Sequence, residues 1–129
     1  MKKIKVIQFG LGAMGSMMAR IILEKRDLEL VGAIDRGEDK IGKDLAHCLG
    51  LKNKTGIIVS NSPLEIFKKT KADIMLHAAV SYVPKVWEQI KPAVESGISV
   101  ITIAEEMGYP WVKYPSLCKE MDKTARKYN

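Results

Sequence analysis

Long hydrophobic runs are missing from this 129-residue chain, and with them any stretch able to cross a bilayer as a helix. Cysteine is scarce: Cys48 and Cys118 lie far apart and form no Cys-x-x-Cys pair or other metal-ligand spacing, which excludes a disulfide framework and leaves no metal site to propose. Two isolated thiols suit a reducing, cytoplasmic setting, with His47 and Cys48 read as structural. Aromatic residues make up 6% of the chain and none interleaves its one tight basic cluster, Lys68, Lys69 and Lys71. That cluster reads as the solvated C-terminal end of a helix, where cations favour the helix dipole. The formal net charge of +6, from 21 Lys and Arg against 15 Asp and Glu, is otherwise dispersed, so nucleic acid is not the expected partner. Repeats, linkers and low-complexity segments are absent. No secretory leader is expected, because Lys2, Lys3 and Lys5 lead into a short strand-like run that stops at Gly10. With 47% apolar and 28% charged residues, the balance is that of one globular domain.

What is present is an alternation of short β-branched runs with helix-period stretches. Strands are predicted at residues 4–9, 28–34, 56–60, 73–78 and 98–104. Helices are predicted at 14–26, where Met17, Met18, Ile21 and Ile22 share an apolar face, at 84–96 and at 116–128. Ser62 and Pro63 read as the cap and first turn of another helix, and residues 40–51 as a short helix or ordered loop. Apolar strands without polar alternation mean a parallel sheet covered on both faces. The fold class is therefore α/β, a Rossmann-type doubly wound parallel sheet. The full pattern has six strands in the order 3-2-1-4-5-6. Five are countable, so the sheet is expected to be incomplete at its C-terminal end, with residues 1–129 forming an NAD(P)-binding domain and a C-terminal substrate domain absent. The predicted fifth strand would then lie at the sheet edge. Its Ile98, Val100, Ile101 and Ile103 suit burial on both faces, and its unpaired backbone invites a homo-oligomer.

The segment Gly10-Leu11-Gly12-Ala13-Met14-Gly15 carries the binding chemistry. A Gly-x-Gly-x-x-Gly triplet is weak by itself, but this one follows a predicted strand directly and opens a predicted helix. Gly10 allows the tight turn, Gly12 lets backbone approach a pyrophosphate, and Gly15 lets the helix pack close to the strand. Free N–H groups at the helix start, from Ala13 and Met14 onward, suit phosphate oxygens. Asp35 lies 20 positions beyond Gly15 at the end of the second predicted strand, where a carboxylate accepts from a ribose hydroxyl. Arg36 follows it and argues the other way, because a guanidinium can pair with a 2′-phosphate or stack on adenine. The cofactor reading is NAD or NADP.

Ligands of such sheets lie beyond the carboxyl ends of the strands. Three segments meet there: the glycine turn, residues 77–82 and residues 104–108. Ala78 and Ala79 are small enough for a ring to lie against their backbone. His77 is either an acid–base group or a hydrogen-bonded structural histidine. Ser81 and Tyr82 are read as caps of the next helix. Glu105 and Glu106 follow the last strand directly; one of them could meet a substrate ammonium, or both could be solvated. The catalytic candidates are His77 and Glu105.

These same segments, with Ala33-Ile34-Asp35, Leu76-His77-Ala78 and Ile103-Ala104-Glu105-Glu106-Met107-Gly108-Tyr109-Pro110, resemble the dihydrodipicolinate reductase-like dehydrogenases, at their branch acting on diamino acids. The resemblance spans the chain and only the family's N-terminal domain. It implies oxidative deamination of 2,4-diaminopentanoate to 2-amino-4-oxopentanoate with hydride passed to NAD or NADP, a step of ornithine degradation. It also implies further catalytic groups in a domain absent here, so these residues alone should bind nucleotide without turnover. A stand-alone nucleotide-binding regulatory module and a dihydrodipicolinate reductase-like activity are the alternatives.

Overall fold

Strand β1 (Ile4–Phe9) occupies the middle of the sheet, as its apolar, partly β-branched sequence suits. The computed structural model describes residues 1–128, so Asn129, the last residue of the expected domain, lies outside it. On one side β1 pairs in parallel with β2 (Leu28–Ile34), and on the other with β3 (Ile74–His77). Beyond β3 lies β4 (Ser99–Thr102), also parallel, giving the order β2-β1-β3-β4. Growth of the sheet reverses between β1 and β3, and this reversal opens a crevice at the carboxyl ends of those strands.

Helices cover the sheet on both sides. Helix α1 (Ala13–Glu24) and the short α2 (Leu45–Leu49) lie over one face, where Ala19, Ile22, Leu45 and Leu49 pack on Val6 and Leu30. Helices α3 (Pro63–Thr70), α4 (Val83–Glu95) and α5 (Pro115–Tyr128) lie over the other. There Phe67, Val86, Trp87 and Ile90 meet Ile7, Phe9 and Met75. Lys68 and Lys69 close α3 and Lys71 is its left-handed C-cap, the solvated helix end expected of this cluster. Both cysteines are free thiols.

Four expectations need correction. Residues 56–60 touch β2 only at a single bridge, Ile34 to Ser60, so four strands form the sheet instead of five. Their backbone groups are engaged by the preceding loop: Gly42 N–H donates to Val59, Val59 N–H to Lys43, and Leu45 N–H to Ile57. Second, the buried face of α1 is Gly15, Ala19 and Ile22, while Met14, Met17 and Ile21 are about half exposed. At Gly15 the helix lies too close to the Gly10 carbonyl for any side chain, and Ala19 and Ile22 continue the face so fixed, which turns Met14, Met17 and Ile21 outward. Third, Ile101 and Ile103 are exposed, because among the described residues no helix covers the α1 side of β3 and β4. Fourth, the Ser62 side chain makes no capping bond to α3, although Pro63 does open that helix.

Asp44 holds the loop that replaces the missing strand. Its carboxylate accepts from Ala46 N–H at the start of α2, from Thr55 N–H and Oγ1–H, and from Gly56 N–H, at 2.8–3.0 Å. Hydrogen bonds from Thr55, then Ala46, hold its pKa down to about 2, against an ordinary 3.8. A depressed carboxylate stabilises the fold above its unfolded value, and that contribution is lost as pH falls through the folded one. Urea midpoints should therefore fall for the wild type between pH 3.8 and about 2, and Asp44→Ala should flatten that part of the profile. Parallel profiles for the two proteins would show that Asp44 does not carry the acid sensitivity.

Candidate functional site

The glycine turn joins β1 to α1 at the mouth of the crevice. Gly10 sits at φ +96°, a backbone conformation open to glycine, and a β-carbon there would meet the Ala78 carbonyl oxygen at 2.1 Å. A β-carbon on Gly15 would meet the Gly10 carbonyl oxygen at 1.9 Å. Gly12 differs from both: nothing lies within 4 Å of its β-carbon position, so its backbone borders open space. Buried Gln8 supports the turn from beneath, its Nε2 donating to the Gly10 carbonyl at 3.1 Å. Ala13 starts α1, and the Met14 side chain is 54% exposed beside it.

Asp35 directly follows β2 and reaches back to the turn. It accepts from Leu11 N–H at 2.7 Å and from Gly37 N–H at 2.8 Å. The Lys40 ammonium lies 3.6 Å from the same carboxylate and donates to the Leu11 carbonyl at 3.0 Å. Burial opposes ionisation of Asp35, but the hydrogen bonds from Gly37 and Leu11 and the charge of Lys40 outweigh it and hold its pKa down.

A cleft of about 610 Å³ runs from Gly10 and Gly12 past Asp35 and Arg36. Its lining also includes Asn61, Pro63 and Leu64, the α4 residues Lys85, Glu88, Gln89 and Pro92, and Ala78, Ala79 and Val80 after β3. Of the predicted positions, Gly10, Gly12, Asp35, Arg36, Ala78 and Ala79 line this cleft, whereas Ala13, Met14 and Gly15 do not. Lys40, Gln89 and the Pro63–Leu64 lining escaped the sequence reading. A lysine five positions after Asp35 was a visible signal for one of them; the helix face that brings Gln89 inward was not singled out.

His77 is fully buried on β3. Its Nε2 lies 2.7 Å from Gln89 Oε1 and its Nδ1 2.8 Å from Thr102 Oγ1, which itself accepts from Ala104 N–H. An amide oxygen cannot donate, so the proton sits on Nε2 and the Thr102 hydroxyl donates to Nδ1. Burial lowers the His77 pKa, and the bond to Gln89 only partly opposes it. The ring is a neutral brace between β3, β4 and α4.

Glu106 is occupied as well. Its carboxylate accepts from Val83 N–H at 3.0 Å, capping α4, and pairs with Lys113 at 2.7 Å. This replaces the expected caps, since Tyr82 at the N-cap position makes no side-chain bond. Glu105, in the 3-10 turn Glu105–Gly108, is exposed, and the neighbouring Ser81 hydroxyl holds its carboxyl below the usual range. Among the described residues no cluster of His, Cys, Asp and Glu could hold a metal ion, and no helix is long and apolar enough to cross a membrane.

A parallel sheet with its switch point at a glycine turn, and an acidic residue closing the next strand, defines a nucleotide-binding domain of the Rossmann class. Residues 4–102 match the family described as dihydrodipicolinate reductase, N-terminus, and the chain belongs to that family. It is 35% identical over 127 residues to 2,4-diaminopentanoate dehydrogenase of Acetoanaerobium sticklandii, across 98% of this chain and 36% of that protein. The 4-hydroxy-tetrahydrodipicolinate reductase of Desulfitobacterium hafniense is 40% identical over 79 residues, 59% of this chain and 28% of the reductase. Among solved structures, the amine dehydrogenase of Mycobacterium smegmatis superposes with a TM-score of 0.92 at 37% identity, covering 97% of this chain and 37% of its own. The chain therefore spans about 36% of the length of the diaminopentanoate dehydrogenase it matches.

The three glycines separate packing from ligand space, which stability measurements can read. Gly15→Ala should cost about 3 kcal/mol or more, since backbone must move to admit the methyl group. Gly12→Ala should cost less than about 1 kcal/mol, the scale of a changed N-cap residue. Equal losses in urea unfolding would mean that Gly12 is packed after all.

Proposed function

We propose that this chain is the NAD(P)-binding domain of a cytoplasmic oxidoreductase that oxidatively deaminates 2,4-diaminopentanoate to 2-amino-4-oxopentanoate, a step of ornithine degradation. The observation that carries the reading is the open backbone at Gly12, facing a cleft that leads to Asp35 and Arg36. Those residues fit a dinucleotide. Gly12, Ala13 and Met14 offer backbone to the pyrophosphate, and Gly10 and Gly15 shape the turn around it. Asp35 keeps free lone pairs for a ribose hydroxyl, because each of its oxygens accepts only one backbone N–H. Leu64, exposed on the cleft wall beside Pro63, offers an apolar surface to a flat base. Ala78 and Ala79 present small side chains where the nicotinamide end would lie.

A dinucleotide held by these residues would supply the hydride acceptor for the amine-bearing carbon, with water supplying the ketone oxygen and the nitrogen leaving as ammonium. The chain's own contribution is to bind and to orient. His77 acts as a positioning residue, since both ring nitrogens are engaged and burial keeps it neutral. Glu105 is the carboxylate available for a substrate ammonium; it is ionised and exposed at the working edge, whereas Glu106 is committed to α4 and Lys113. The substrate itself would be held by a C-terminal domain, as the extra length of the relatives suggests. The diamino acid reading is preferred to a dipicolinate-type reductase because the match to the former runs along 98% of the chain and to the latter along 59%.

Calorimetry should show NADH or NADPH binding to the 129-residue protein, and Gly12→Val should abolish it without unfolding the domain. Amine-dependent NADH formation should be absent from these residues alone and present when a substrate domain is joined, because hydride transfer needs the substrate held against the ring. Unchanged affinity in Gly12→Val would overturn the phosphate cradle, and turnover by the isolated domain would overturn the division of labour.

The homo-oligomer reading rests on β4, which pairs only with β3 and shows an unpaired edge among the described residues. Sedimentation at micromolar concentration should give a dimer or larger species. A monomer whose β4 amides resist hydrogen exchange would show the edge covered from within the chain.

A further inference from the structure

The cleft beside the glycine turn is lined by five charged side chains: Asp35, Arg36, Lys40, Lys85 and Glu88. Both carboxylates already have lysine partners. Lys40 lies 3.6 Å from Asp35, and Lys85 lies 3.1 Å from Glu88 on the same helix. Arg36 has no ion-pair partner among the described residues. Glu38 and Asp39 are exposed on the same loop and do not line the cleft. The lining therefore carries one unmatched positive charge next to Asp35.

An Asp at the end of the second strand ordinarily excludes a dinucleotide bearing a 2′-phosphate, because the phosphate would sit against a bare carboxylate. Asp35 is not bare. It is 14% exposed at the side chain, receives two backbone N–H groups, and shares its charge with the partly buried Lys40 ammonium. Lys40 is fixed in turn by donating to the Leu11 carbonyl within the glycine turn, so it is not a wandering surface cation.

We propose that Lys40 is a specificity-determining residue: by neutralising Asp35 it lets Arg36 accept a 2′-phosphate, so that the cleft takes 2′-phosphorylated dinucleotides as well as NAD. The inference rests on the nucleotide reading of the cleft and adds to it the residue that sets cofactor choice. Asp35 still reaches a ribose hydroxyl in NAD, and the Lys40–Asp35 pair plus Arg36 presents net positive charge to the phosphate of NADP.

The test titrates the 129-residue protein with NADH, NADPH, 5′-AMP and 2′,5′-ADP, the last two isolating the 2′-phosphate. Wild type should bind both dinucleotides and prefer 2′,5′-ADP to 5′-AMP, with the preference shrinking as salt is raised. Lys40→Met should weaken NADPH and 2′,5′-ADP by roughly 10- to 100-fold more than it weakens NADH and 5′-AMP, the scale of a lost charge-assisted contact. Lys40→Arg should restore the preference, and Arg36→Met should lose it. Equal weakening of all four ligands in Lys40→Met would make Lys40 a prop for the loop and overturn the assignment. Should Lys40→Met fail to fold, a wild type that binds NADH but rejects NADPH and 2′,5′-ADP overturns it equally, with the nucleotide reading left standing. Binding of neither dinucleotide by wild type overturns both.

Discussion

Three backbones meet where no side chain fits, and the rest of the structure is arranged around that contact. Gly10 lies against the Ala78 carbonyl and Gly15 against the Gly10 carbonyl, at distances that would place a β-carbon 2.1 Å and 1.9 Å from oxygen. The turn, the end of β3 and the first turn of α1 are thereby locked together. Gln8, buried below, adds a hydrogen bond to the same carbonyl. A crevice follows from this packing: because α1 and β3 close on the turn from two sides, the third side, at Gly12, is left open. The nucleotide site is in this sense a by-product of this close backbone packing.

The same contact explains where sequence reading succeeds and where it misleads. Strand-forming runs such as Ile4–Phe9 and Leu28–Ile34 are legible because their β-branched, apolar residues have few other uses. The apolar stripe of α1 is misleading because periodicity records hydrophobicity and not the space available. Proximity to β1 selects Gly15 and Ala19 for the interface and turns Met14, Met17 and Ile21 away. Residues 56–60 have strand composition, yet the 42–45 loop competes for their hydrogen bonds, and Asp44 decides the competition with four bonds of its own. Competition between distant segments leaves no local mark in a sequence.

Position at the working edge is likewise a poor guide to chemical role. His77, Glu105 and Glu106 all sit at the carboxyl ends of strands, but the structure employs two of the three elsewhere. His77 spans from Thr102 to Gln89 and ties β3 to β4 and α4. Glu106 caps α4 from a different loop, a role that no spacing rule for local caps could reveal. The His77 assignment follows from counting donors and acceptors: with both ring nitrogens engaged it has none to lend to a substrate, while Glu106 is held in place by the α4 N–H and Lys113.

The exposed apolar residues mark a face that the packing leaves open. Met14 and Ile21 lie on one side of α1, roughly 100–120° around the helix at 3.6 residues per turn from Arg20, which donates to Leu49 at the end of α2. On the α1 side of the sheet, Ile101 and Ile103 are exposed and Ile74 and Leu76 only partly buried, because among the described residues no helix crosses β3 and β4 there. Burying this face against a second copy of the chain or a further domain would take that apolar area out of water, in the same direction as the association that the unpaired edge of β4 favours.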